Sequence, residues 1–216
     1  MKLFDARTPN SMRVHVLMAE KGIDLPREPI DVINGGTRTG AFLKINSLGE
    51  LPVLKLDDGR YLAESIAICR YLEALHPEPS LFGTSPEEQA WIEMWNRRME
   101  LHVFNAIGYA AQHTLPFFAD KLEQIPAYAD AQVRRAQTLW TWLDAELADG
   151  RPYIAGDRFS VADITGLAAL MVSALLDAEI PRDATHTIKW QERVQSRPSV
   201  LAQQAQAPSA NVGARL

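Results

Sequence analysis

Four short runs in this 216-residue chain combine side chains in ways that do chemistry. The first is Thr8-Pro9-Asn10-Ser11, which follows a short apolar stretch and opens a helical pattern. Hydroxyl and amide side chains there cap the helix. They also offer donors to an anion held by the free N–H groups and the dipole of the helix N-terminus. The second is Leu51-Pro52-Val53. A proline opening a strand after a turn suits a cis peptide bond, which leaves the Val53 backbone as a free edge for an extended peptide ligand; the plainer reading is an ordinary strand-initiating proline. The third is Glu64-Ser65 ahead of Ile66. Ser65 reads as an N-cap whose helix end receives a carboxylate, and Glu64 beside it attracts an ammonium. Together they fit the head group of an amino acid, although serine begins many helices for capping alone. The fourth, Ser160-Val161-Ala162-Asp163, has the form of a capping box and is read as structural.

These runs need elements to position them. Residues 2–6 read as a buried strand, 11–21 as a helix stopped by Gly22, and 29–33 as a second strand, a strand–helix–strand unit with parallel pairing. A Gly-rich connector spans 34–40, and a short helix comes next at 41–45. Asp57-Asp58-Gly59 between the apolar runs 52–56 and 60–62 marks a hairpin. A helix over 65–75 should bury Ile66, Cys69, Leu72 and Leu75. His76-Pro77-Glu78-Pro79 ends it and reads as a domain boundary. Beyond Pro86 the pattern is helical throughout: one long helix from Glu87 to about Leu115, a second over 126–149, an apolar central helix from Ser160 to about Leu176, and another over 187–196. The expected domains are 1–78 and 86–201, with a Gln-, Ala-, Pro- and Ser-containing tail at 202–216.

Bulk properties narrow the functional classes. The net charge of −5 and the absence of a basic run argue against nucleic acid as a partner. One cysteine, Cys69, rules out an intrachain disulfide or a Cys-x-x-Cys centre, and it sits on an apolar helix face as a buried, inert thiol. No apolar run reaches membrane-spanning length and the N-terminus lacks the pattern of a signal peptide, so a cytoplasmic location and no membrane partner are expected. No metal site is expected, because no carboxylate–His pattern supports one.

Taken together the residues resemble the cytosolic glutathione transferase family. The matching runs are Thr8-Pro9-Asn10-Ser11 with Arg13-Val14 and Glu20-Lys21-Gly22-Ile23; Phe42 through Leu54; Leu62-Ala63-Glu64-Ser65-Ile66-Ala67-Ile68; and Gly156 through Ile164. The resemblance implies a thioredoxin-like α/β N-terminal domain, an all-α helical C-terminal domain and a homodimer. It implies glutathione as cosubstrate in a detoxification enzyme. In that frame Val53 pairs with the cysteinyl backbone of glutathione, Leu51 lines the same site, and Glu64 and Ser65 hold the γ-glutamyl group. Where tyrosine-type classes carry their tyrosine, this chain has Leu3 or Phe4; where beta-type enzymes carry cysteine, it has Asn10. The run is most similar to bacterial theta-, zeta- and nu-like members, so Asn10, Thr8 and Ser11 are expected to meet the sulfur. The family's usual His, Gln or Lys near the glycyl carboxylate is replaced by Thr37 and Glu50, which leaves Arg38 or Lys44 to meet that group.

The first long helix of the C-terminal half should wall the site of a hydrophobic electrophile. His102, Ala106, Tyr109 and His113 fall roughly on one face, with Phe117 just beyond; packing between domains is the competing explanation for the same stripe. The expected reaction is attack of the activated thiol on that electrophile. Reduction of a peroxide or disulfide at the same site is the alternative, and a non-catalytic interaction protein on the same fold is the second.

Overall fold

The computed structural model describes residues 1–205. The chain divides into two compact units, Met1–Leu81 and a second from Phe82 onward.

The first unit is a thioredoxin-like domain. Strands β1 (Lys2–Asp5), β2 (Arg27–Pro29), β3 (Val53–Lys55) and β4 (Tyr61–Leu62) form one mixed sheet in the order β2-β1-β3-β4. β1 and β2 are parallel, as expected of a strand–helix–strand unit, with Leu3 opposite Arg27 and Asp5 opposite Pro29. β3 runs antiparallel to both of its neighbours, and the Asp-Asp-Gly run turns β3 into β4 with Gly59 at φ 88°. Helix α1 (Pro9–Lys21) begins at an N-cap Thr8 and ends at Gly22 in the left-handed region, the stop that a Gly after a basic last turn announces. Helix α3 (Ser65–Leu75) packs against α1. Its buried stripe is Ser65, Ile68, Cys69 and Leu72; Ile66 is only partly covered and Leu75 is exposed, so the face is rotated from the one expected.

Two features of this unit differ from the sequence reading. β2 occupies 27–29 instead of 29–33. Ile30 still donates to the Asp5 carbonyl, at 2.8 Å. Asp31 then accepts from the N–H groups of Ile33 (3.1 Å) and Asn34 (3.0 Å), a side-chain turn that takes the chain out of the sheet. The short helix α2 lies at Gly40–Leu43, one residue early, because Thr39 caps it by accepting from the Phe42 N–H at 3.2 Å. At the far end the buried Lys21 ammonium ties α1 to α3 and to the segment that leaves it. Lys21 pairs with Glu73 at 2.6 Å and donates to the carbonyls of His76 and Pro79, both at 2.7 Å.

The second unit is all helical: α4 (Pro86–Arg98), α5 (Asn105–Thr114), α6 (Pro126–Glu146), α7 (Val161–Ser173), α8 (Thr185–Gln195) and α9 (Pro198–Ala205). The single long helix expected from Glu87 is α4 and α5 joined by a six-residue π-helical segment, Met99–Phe104, in which the Asn105 N–H reaches the Glu100 carbonyl. No proline or glycine in the segment marks this widening in the sequence. α7 is the central helix, buried along nearly its whole length, and its start is the capping box read from the sequence. Asp163 accepts from the Ser160 N–H and also from the Ile154 N–H (2.9 Å) and the Trp190 indole N–H (2.8 Å). Burial pushes its carboxyl upward and these donors pull it back. Gly166 lets α7 meet Trp190: a Cβ there would lie 2.6 Å from the indole. Of the expected tail, residues 202–205 belong to α9 and the remainder lies outside the described residues.

Candidate active site

The first turn of α1 is built almost entirely from its own side chains. The Thr8 hydroxyl oxygen accepts from the Ser11 N–H at 3.2 Å, and the Thr8 O–H donates to Ser11 Oγ at 3.1 Å. Ser11 Oγ also accepts from the Ala6 N–H at 3.5 Å, and Ser11 is fully buried. Thr8 N–H goes to the Ala6 carbonyl and Met12 N–H to the Thr8 carbonyl. Pro9 has no N–H. In this turn the Asn10 N–H alone is left without an acceptor among the described residues, and the half-buried Asn10 amide has no partner there either. Thr8 and Ser11 therefore hold the turn together; Ser11 is buried, and Asn10 is the partly exposed group with donors to give.

The N-terminus of α3 is different in kind. Ser65, expected as its N-cap, is the first helical residue, and Glu64 occupies the cap at φ 68°, a left-handed conformation uncommon for a residue with a side chain. No side chain caps this end. The Ile68 N–H reaches the Glu64 carbonyl, which leaves the N–H groups of Ser65, Ile66 and Ala67 directed out of the helix end. Ser65 Oγ accepts from Arg13 Nη1 at 3.4 Å, so its own O–H remains to donate. Arg13, one turn beyond Asn10 on α1, is buried and carries positive charge between the two helix ends. Sequence reading passed over it as a candidate, and its signal is the polar residue three positions after Asn10 on an otherwise apolar helix face.

Between the two helix ends lies the start of β3. The Leu51–Pro52 bond is cis. Phe4, Phe42, Leu51 and Val53 form a buried apolar cluster beneath it. β3 is an inner strand and not the free edge that was expected: Val53 pairs with Phe4 of β1 on one side, and on the other the ladder with β4 starts only at Leu54 opposite Leu62. The Val53 backbone lies just past the end of that ladder. On the connector, Thr37 is buried, while Arg38 donates to the Leu48 carbonyl at 2.9 Å and packs on Gly49, where a Cβ would come within 2.7 Å of its guanidinium. Lys44 sits exposed at the C-cap of α2, and the exposed Glu50 uses its carbonyl to accept from the Asn46 amide at 3.0 Å.

Cys69 is buried on α3, its thiol donating to the Arg13 carbonyl at 3.8 Å. Burial pushes that thiol up to about 12, well out of reach of thiolate chemistry near neutral pH. In the helical unit His102 lies in the π-helical segment and is exposed, Ala106 is buried, and Tyr109 is exposed and packs its ring on Tyr128. His113 Nδ1 accepts from the Ile125 N–H at 3.1 Å, and its ring meets Tyr128 edge-on. That ring is pinned between α5 and the start of α6. Phe117 lies in the 3₁₀ turn after α5. Among the described residues no group of three His, Cys, Asp or Glu side chains is placed to hold a metal ion, and no helix is long and apolar enough to cross a membrane.

Residues 8–75 match the glutathione S-transferase N-terminal domain family and residues 98–198 the glutathione S-transferase C-terminal domain family. Glutathione S-transferase 2 of Saccharomyces cerevisiae is 35% identical over 196 residues, covering 89% of this chain and 84% of the yeast protein. A glutathione S-transferase domain-containing protein of Marinobacter aquaeolei VT8 superposes with a TM-score of 0.87 at 38% identity, over 93% of this chain and 100% of that one. The structure of Gtt2 from Saccharomyces cerevisiae does so with a TM-score of 0.87 at 33% identity, over 94% and 99%. With both halves of the chain matched in order and a relative of this identity over most of its length, the chain belongs to the glutathione S-transferase family.

Proposed function

We propose that this enzyme binds glutathione on its thioredoxin-like unit and lowers the pKa of the glutathione thiol, so that the thiolate attacks a hydrophobic electrophile. The observation that carries the reading is the pair of helix ends with unspent donors. The end of α3 offers three N–H groups and the Ser65 hydroxyl to the γ-glutamyl carboxylate, with Glu64 beside it for the ammonium. The end of α1 offers the Asn10 N–H and amide to the sulfur. Val53 and Leu51 supply backbone and wall for the cysteinyl residue between them, and Arg38, with Lys44 further along, faces the glycyl carboxylate. Thr8 and Ser11 shape the sulfur site by fixing the turn.

The chemistry is electrostatic. A free thiol titrates near pH 8.5 and is only about 3% thiolate at pH 7. Two donors and the positive end of a helix favour S⁻ over SH. A fall of ~2 units corresponds to ~2.7 kcal/mol, within what two charge-assisted hydrogen bonds supply. On the helical unit Tyr109 and His102 are exposed. A bacterial theta-, zeta- or nu-like subclass, a homodimeric state and a cytoplasmic location belong to the same proposal. The Thr-Pro-Asn run also suits a thiol reductant, so reduction of a peroxide or disulfide is the second reading.

Calorimetry with glutathione at up to millimolar concentration, followed by turnover on a chloronitroarene, a hydroperoxide and a disulfide, tests the proposal. Binding with turnover on the arene is the expected result. Turnover on the peroxide or disulfide alone selects the reductant reading. Absence of binding refutes both and leaves a non-catalytic interaction protein.

A further inference from the structure

A buried polar cluster lies directly behind the sulfur end, unused by the chemistry above. Asp5, the last residue of β1, is 2% exposed on the sheet face covered by α1. Its Oδ2 lies 2.6 Å from Nε2 of His15 on α1 and accepts from Nε of Arg27, the first residue of β2, at 2.8 Å. Arg27 Nη2 lies 3.0 Å from the same His15 nitrogen. A single ring nitrogen, Nε2 of His15, thus meets both the Asp5 carboxylate and the Arg27 guanidinium. One carboxylate oxygen thus ties together three elements: the end of one strand, the start of its parallel neighbour and the second turn of α1.

Burying a carboxylate is costly unless it is paired and hydrogen-bonded, and apolar side chains of the same helix, Val14 and Leu17, already hold α1 against its surroundings. What apolar contacts lack is direction. They let a helix slide or rotate by fractions of an ångström, whereas directed polar contacts to one carboxylate oxygen at 2.6 and 2.8 Å fix both. Asp5 and the Asn10 N–H are joined by only Ala6 to Pro9, and His15 stands five residues beyond Asn10, about 7.5 Å along the axis. The cluster therefore clamps both sides of the turn that carries the donors. Resting on the function proposed above, we propose that Asp5, His15 and Arg27 are positioning residues that set the placement of the α1 N-terminus on the glutathione sulfur. They touch no substrate and act through Asn10.

The test uses the full chain with Asp5→Asn, Arg27→Gln and the conservative Arg27→Lys. Thiolate formation in the glutathione complex is monitored by ultraviolet difference absorbance across pH, and turnover is measured at pH 6.5 and pH 9. Binding of S-methylglutathione, which has no thiol, is measured by calorimetry. A displacement of well under 1 Å weakens a positioned hydrogen bond to the sulfur, so a bound thiol near 6.5 should titrate about one unit higher, a roughly fivefold loss of turnover at pH 6.5 that is recovered at pH 9. S-methylglutathione affinity should change less than about twofold, because the γ-glutamyl end on α3 is untouched. Arg27→Lys, keeping one donor for Asp5, should restore most of the titration. Should Asp5→Asn fail to fold, the Arg27 pair carries the test, since that side chain is 40% exposed. Folded variants with the wild-type titration overturn the proposal. So does a loss of turnover that is equal at both pH values and matched by weaker S-methylglutathione binding, the signature of a merely structural role. A wild-type protein that binds no glutathione overturns the functional reading itself, and is thereby distinguished from failure of the clamp alone.

Discussion

Asn10→Ala is the most direct probe of the sulfur site. The substitution removes the side-chain amide and keeps the backbone N–H, the one N–H of the first turn without an acceptor among the described residues. A hydrogen bond to a charged acceptor contributes about 1.5–3 kcal/mol. Its loss therefore raises the bound thiol by about 1–2 pKa units at 1.36 kcal/mol per unit. If the wild-type thiol titrates near pH 6.5, turnover at pH 6.5 should fall by about 5- to 50-fold, and above pH 9 the two proteins should converge. Thr8→Val makes the contrast. It removes the cap on the Ser11 N–H and should cost about 1 kcal/mol of stability. Its effect on the thiol should be smaller, because the Thr8 O–H is spent on Ser11. The assay is a pH titration of the enzyme–glutathione complex by ultraviolet difference absorbance, with urea unfolding of each variant. A wild-type thiol pKa in Asn10→Ala, with the shift appearing in Thr8→Val instead, would falsify the assignment of Asn10 as the donor.

Three further outcomes are expected. Lys21→Met removes one buried partner of Glu73 and frees the carbonyls of His76 and Pro79; breaking a buried pair by removing one partner costs about 3–5 kcal/mol, readable as a lower urea midpoint. Cys69 should resist Ellman's reagent at pH 8 until the chain is unfolded. Its folded pKa of about 12 lies above the unfolded value, so the stability it contributes is full below about pH 8.5 and is lost as pH rises toward 12. Between pH 8 and pH 10 that loss is about 2 kcal/mol, and it should be missing from Cys69→Ala in a comparison of urea midpoints.

Much of this protein was legible in its order of residues because the signals are local. Thr8 followed by Pro9, Gly22 after Lys21, Asp-Asp-Gly in the hairpin and Ser160 with Asp163 each act on backbone groups within four residues of themselves. Such groups are satisfied or left open by neighbours in sequence, and that is why α1, the β3–β4 turn and the start of α7 fall where the pattern puts them. Glu64-Ser65 was found for the same reason, although only the folded backbone revealed that Glu64 and not Ser65 takes the cap, in a left-handed conformation. Where an element's limits depend on partners far along the chain, sequence reading drifted. β2 ends early because Asp31 recruits its own neighbours, and the widened turn at Met99–Phe104 carries no proline or glycine to announce it.

The roles within the first helix turn were decided by tertiary structure. Thr8, Asn10 and Ser11 are equal candidates on paper, since all three carry donors. Folding engages Thr8 and Ser11 with each other and with Ala6, buries Ser11, and leaves Asn10 open and partly exposed. Asp5, His15 and Arg27 lie 10 and 12 positions apart and share no periodicity, so nothing in their order links them. A parallel strand pair with a helix laid across it brings them to one point. The sequence by itself determined the family, the two-unit plan and the positions of the two helix ends proposed to hold the ligand, because capping and hydrophobic patterning are short-range. Which donor remains free, and what clamps it, depends on hydrogen bonds between residues that only the sheet and α1 bring together.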